Sequence, residues 1–310
     1  MSDIHKLKFE LPRLWEHDWE RMAADSNGAE KLLLSIEGQA AHLLKFMSDD
    51  VANFERLAWL GIWSKSFCIL EGARGALGQR SQYTVELLSR AVFEMVLHAF
   101  TIHEIEPIKR LRAYAAWCLW NDHHFQMKFL DPSTLSRIWN PRPAVDIAKD
   151  AESRRVYEEL FGPLDIETDP KELHRGRVDQ FREEKLRLDR LAAWLSDPDV
   201  CPWVERLSNL SKRRGRAPIP FFALFNETEG SVARRLESLD MGFLYLAYVK
   251  GSMFVHGSTL DHMYLTQERC LTPLFTGNRE NVEAQAEQIG HACNIVLVLL
   301  KSIRNRLWQH

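Results

Sequence analysis

Cysteine is scarce in this chain, and so is every spacing that would give it a structural role. Five cysteines, Cys68, Cys118, Cys201, Cys270 and Cys293, are spread over 310 residues, and none forms a C-x-x-C pair. An odd count of separated thiols argues against a disulfide framework and a thiolate zinc site, and predicts reduced cysteines. Long apolar runs are also lacking. The longest, "ACNIVLVLLK", is about half of what a membrane-spanning helix needs. The opening "MSDIHKLKFELPRLWEHDWE" holds no apolar run of signal-peptide length. The expectation is a cytoplasmic protein with no membrane partner. Charge of one sign is missing too: 40 basic and 43 acidic residues leave −3 at pH 7. Nucleic acid or anionic lipid would therefore have to be met by a local patch. No P-loop, G-x-G-x-x-G, G-x-S-x-G or H-E-x-x-H occurs, which argues against the common nucleotide and hydrolase scaffolds. Strand patterns are nearly absent; "APIPFFALF" is the one candidate, and its prolines argue against a central strand.

What the chain does have is helical periodicity. "AEKLLLSIEGQAAHLLKFM" places apolar residues at 32, 33, 36, 40, 43, 44 and 47, a three-and-four spacing. "VANFERLAWLGIWSKSFCILEGARGAL" continues it. "SQYTVELLSRAVFEMVLHAFTIH" opens on Ser81, a plausible N-cap, and is apolar on most faces, which predicts a central helix. "EPIKRLRAYAAWCLWNDHHFQMKFL" has Pro107 near its start, where proline is tolerated. From about 131 to 217 the texture turns polar and turn-rich around charged amphipathic helices. Strongly helical patterns resume in the last third. The expected architecture is all-α: an N-terminal extension over 1–27, a helical bundle from 28–130 and 228–310, and a charged helical insertion over 131–227.

Two polar faces interrupt the apolar helices. Arg90, Glu94 and His98 recur at i, i+4 and i+8 among Leu, Val, Phe and Ala. Arg90 and Glu94 can pair along the helix, so the face is either an anchoring ion pair or a ligand site. In "LYLAYVKGSMFVHGST", Tyr245, Tyr248, Ser252 and His256 fall inside an arc of about 80°, and Gly257 ends the pattern. That stripe is either a satisfied core network or a site in which His256 does acid–base work. Weaker signals are "KRRGR" (Lys212, Arg213, Arg214 and Arg216), which reads as a solvated basic loop, and "NDHHFQ". There His123 and His124 point about 100° apart and make a poor chelate. Glu94 with His98 offers two metal ligands and no further ones nearby in sequence, so neither a metal nor a cofactor is expected.

"LLSRAVFEMVLH" followed far downstream by "YLAYVKGSMFVHGST" resembles an uncharacterised bacterial all-helical family, a domain of unknown function. The matching residues are Arg90, Glu94, Tyr248, Ser252, His256 and Ser258, within roughly 30–130 and 225–300. That family is in turn distantly similar to the HEPN helical proteins, many of them metal-independent ribonucleases of phage-defence and toxin–antitoxin systems. The late helix departs from the HEPN signature, with Lys250 instead of an arginine ahead of His256. "SIRNRLWQH" fits that signature's spacing through Arg304, Asn305 and His310 at a frequency chance would supply, and is expected to be dispensable.

The resemblance implies a protein that binds or cleaves RNA or a nucleotide. His256 would be general acid or base, Arg90 a phosphate holder, and Glu94 an orienting group. Tyr248, Ser252 and Ser258 would bind ligand. An antitoxin or other protein, or a second copy of the chain, would be its partner. The alternative is a non-catalytic interaction or sensor protein. In it the polar residues fix helix register, and the ten tryptophans serve a partner surface.

Overall fold

In the computed structural model the described residues are 4, 11–45, 47, 53–129, 151, 155, 186–214, 219–225, 231–238, 264–267, 270–273 and 279–308. Helices dominate them: α1 (Trp19–Ala24), α2 (Gly28–Leu44), α3 (Phe54–Gln79), α4 (Gln82–Glu104) and α5 (Pro107–Phe129). They continue with α6 (186–195), then α7 (Cys201–Arg214), α8 (Val232–Ser238) and α9 (Arg279–Trp308). The protein is all-α, as its periodicity predicts. A two-stranded antiparallel pair, β1 (Tyr264–Gln267) with β2 (Cys270–Pro273), is its β element among the described residues, with Gln267 opposite Cys270. The described part of "APIPFFALF", residues 219–225, is not a strand. Phe221–Leu224 forms one 3₁₀ turn whose four side chains are all buried. The basic "KRR" is not a loop either: Lys212 to Arg214 close the last turn of α7, where cations complement the helix dipole.

The chain divides into two compact units, 116–204 and, apart from the first two residues, the rest. The expected insertion boundaries near 131 and 227 lie outside the described residues. Within the larger unit, α9 packs against α2, α3 and α4, while α3 also packs against α2 and α4. The sequence dictates this seam. Val282, Ala286, Ile289, Gly290, Cys293, Val296, Leu297, Leu300, Ile303 and Leu307 form the buried three-and-four stripe of α9. Burial pushes the Cys293 thiol up to about 12, so it stays protonated. Gly290 permits a close crossing, since a Cβ there would sit 3.3 Å from Leu33.

Local signals set the helix ends. Ser81 caps α4 by accepting from the Thr84 N–H at 3.3 Å, and Asn53 caps α3 by accepting from the Arg56 N–H at 2.9 Å. Pro107 is the first residue of α5. The short link between α3 and α4 turns on Arg80, whose backbone is left-handed (φ 53, ψ 36). Arg80 N–H donates to the Leu77 carbonyl at 3.1 Å and Ser81 N–H to that of Ala76 at 2.9 Å, a Schellman stop with arginine where glycine is favoured.

Three tryptophans act as polar-tipped core pegs. Trp59 Nε1 donates to the Leu300 carbonyl at 3.0 Å, Trp63 to that of Ala40 at 2.9 Å, and Trp19 to that of Leu14 at 2.7 Å. Of the described tryptophans, Trp19, Trp59, Trp63 and Trp120 are buried, while Trp15, Trp117, Trp194, Trp203 and Trp308 keep part of their surface exposed.

Candidate functional site

The polar residues that the sequence marks on α4 share one face, and that face is longer than the sequence motif. Arg90, Glu94, His98, Thr101 and Glu104 follow one another at steps of three and four, within an arc of about 120°. Arg90 Nε donates to Glu94 Oε1 at 3.3 Å, as the i, i+4 spacing predicts. Their side chains retain 19% and 37% of their exposure, so this pair is half-buried. It touches both water and protein.

One turn on, His98 lies against aromatic rings. Its imidazole centroid is 5.4 Å from that of Tyr114 on α5 and 5.6 Å from that of Phe221. Burial, with a smaller push from the Lys65 charge, pulls its pKa down to about 3, so this imidazole is neutral at physiological pH. A histidine so placed is a poor proton acceptor near neutrality.

The far end of the stripe is an ionic cluster. Arg110 Nη1 and Arg235 Nη2 each donate to Glu104 Oε2 at 3.0 Å. Arg235 also donates to Thr101 Oγ1 at 3.3 Å, and Arg110 to the Thr101 carbonyl. The Arg110 guanidinium lies 4.4 Å above the Phe225 ring. Burial alone would raise the Glu104 pKa; the two arginines outweigh it and hold the carboxyl below its ordinary value. Thr101 and Glu104 were legible by extending the α4 spacing. Arg110 and Arg235 were not, because they reach the cluster from α5 and α8.

Tyr245, Tyr248, Ser252, His256 and Ser258 lie outside the described residues, and with them the expected meeting of His256 with Arg90 and Glu94. Arg304 is tied down: Nη1 donates to the Leu43 carbonyl at 3.4 Å, while Nε and Nη2 donate to Asn305 Oδ1. It borders a cavity of about 320 Å³ with His42 and Lys301. His310 lies outside the described residues. In the smaller unit, Asp122 accepts both its bonds from Arg187, at 2.9 and 3.1 Å, and His124 Nδ1 lies 2.9 Å from the Trp120 carbonyl. Among the described residues no group of three His, Cys, Asp or Glu side chains is placed to hold a metal, and no helix is long and apolar enough to cross a membrane. Cys68, Cys118, Cys201 and Cys293 are free thiols.

Other polar groups inside the bundle escaped the sequence reading. Glu86 Oε1 accepts from Gln285 Nε2 at 2.6 Å and from Gln82 Nε2 at 3.2 Å, joining α4 to α9. Glu37, fully buried on α2, accepts from Arg74 Nε at 3.1 Å. Its carboxyl is pushed up by burial, against the pull of Arg74. The signal was present, because Glu37 falls between Leu33, Ala40 and Leu44 on the apolar stripe of α2. Comparison of the chain with protein-family models, curated proteins and solved structures finds no match.

Proposed function

We propose that this is an HEPN-like helical protein that binds RNA or a nucleotide through the Arg90–Glu94 face and, with His256, cleaves it without a metal. The observation that carries this reading is the half-buried Arg90–Glu94 pair on α4, which also keeps Leu87, Phe93 and Val96 partly exposed. A guanidinium held at one nitrogen by a carboxylate is oriented in advance, and such a group suits a phosphate. In this reading Arg90 holds a phosphate, Glu94 orients it, and His256 transfers a proton. Tyr248, Ser252 and Ser258 hydrogen-bond the ligand. Phage defence or an antitoxin-paired setting is the expected context.

The test is RNA cleavage and filter binding with the whole chain. His256→Ala should abolish cleavage, and Arg90→Ala should weaken binding about tenfold, with helical content unchanged by circular dichroism. Cleavage and binding that survive both substitutions would remove the proposal. Arg304→Ala with His310→Ala should leave activity intact; a large loss would move the site to the chain's end.

A second reading, a non-catalytic protein whose stripe fixes helix register, draws on the other end of the same face. There His98 is packed against aromatic rings and Glu104 is locked between two buried arginines. It predicts no cleavage by the wild type and large stability losses for stripe variants.

A further inference from the structure

A second polar feature of the bundle shares no residue with the Arg90–Glu94 face. A cavity of about 270 Å³ opens where the start of α2, the end of α3 and the start of α9 come together. Three arginines line it: Arg74 and Arg80 from the end of α3, and Arg279 from the first residue of α9. Glu30 and Glu283 line it too, so the wall carries three positive charges against two negative ones.

Each arginine is differently prepared. Arg74 is steered from behind by Glu37, which engages only its Nε and leaves two terminal amino groups. Arg279 is braced by Glu283 at 2.7 Å along its own helix. Arg80 makes no side-chain hydrogen bond or ion pair among the described residues, and it holds a left-handed backbone that glycine would adopt with less strain. Helix ends add to the field. The first turn of α2 has no side-chain cap at Asn27, and Asn27 and Ala29 belong to the wall. The 17-residue α2 and 30-residue α9 both present their N-terminal ends there, each equivalent to about half a positive charge.

We propose that this cavity binds an oligophosphate, as a free chain or as the phosphate tail of a nucleotide. Forked guanidinium donors match tetrahedral phosphoryl oxygens pairwise. A volume of about 270 Å³ equals roughly nine waters at about 30 Å³ each, room for more than one phosphoryl group. A carboxylate, with one charge and two oxygens, would engage fewer of these donors.

The experiment is calorimetric titration of the whole chain with sodium tripolyphosphate and, separately, with adenosine triphosphate. The variants are Arg80→Ala, Arg279→Ala and their double, with Lys109→Ala as control. Arg80 and Arg279 are exposed, so the variants should fold; Arg74 is spared because its loss would strand Glu37. The wild type should bind tripolyphosphate, each single substitution should weaken binding about tenfold, and added salt should weaken it further. Lys109→Ala, which removes an exposed charge paired with Glu106 beyond the far end of α4, should bind as tightly as the wild type. Because Arg80→Ala and Arg279→Ala leave the Arg90–Glu94 face intact, failure of the Arg90 reading would leave this one standing. Equal affinity for both ligands assigns the site to the phosphate chain alone; tighter binding of the nucleotide assigns it to nucleotides. No binding by the wild type at about millimolar ligand, or full binding by the double variant, overturns the proposal.

Discussion

Replacing Arg80 by glycine should make the protein more stable while weakening its hold on oligophosphate. With φ 53 and ψ 36, Arg80 occupies the left-handed region at the end of α3. An L-residue there carries a penalty of about 1–2 kcal/mol that glycine does not. Glycine in turn frees the unfolded chain, which costs about 0.4–1 kcal/mol. The exposed Arg80 side chain has no hydrogen-bond partner among the described residues that the change would strand. The balance is a gain of about 0.5–1 kcal/mol for Arg80→Gly. Arg80→Ala keeps the strained backbone and should stay within about 0.5 kcal/mol of the wild type. For a chain of this length such a gain moves the thermal midpoint by only about 1–2 °C, so urea denaturation of the three proteins side by side is the better assay. Both variants should lose tripolyphosphate affinity to the same extent, since both lose the guanidinium. An Arg80→Gly protein less stable than the alanine variant would refute the conformational argument. An unchanged affinity would show that the guanidinium faces no ligand.

Glu104→Ala would leave Arg110 and Arg235, 11% and 5% exposed, without their shared carboxylate. The expected loss is about 2–3 kcal/mol by urea denaturation, the low side for a buried pair because Glu104 itself is 45% exposed. The depressed Glu104 pKa also gives a sign. Its contribution is complete above the ordinary value of 4.5 and disappears as pH falls through the lower folded value, so Glu104→Ala should show a shallower acid loss than the wild type. His98, with a folded pKa of about 3 against an ordinary 6.5, favours the folded state fully above pH 6.5 and less as pH falls towards 3. Its imidazole resonances should therefore stay constant between about pH 5 and 8 by NMR, and a midpoint near 6.5 would contradict the burial described. Gly38→Ala would put a methyl 2.8 Å from Trp19 Cβ and should destabilise the protein by about 1–3 kcal/mol while shifting tryptophan fluorescence.

Which helices form, and which of their faces turn inward, was determined locally. Apolar residues three and four apart mark α2, α4 and α9 without reference to any other part of the chain, because an amphipathic face follows from 3.6 residues per turn. Ser81 as a cap, Pro107 as a start and Arg90–Glu94 as a pair are equally local, each depending on residues within one turn. Pairing across the sequence was not legible in this way. That Arg235 would join Glu104 and that Arg279 would line a cavity with Arg74 and Arg80 depends on how helices cross. One polar residue on an apolar helix says that it needs a partner but not where the partner is. The left-handed Arg80 belongs to the same class. Arginine has no preference for that conformation, and only the junction between α3 and α4 demanded it. Periodicity is a property of neighbours along the chain, whereas cavities and charge clusters arise where distant segments converge, and only the folded structure settles which ones do.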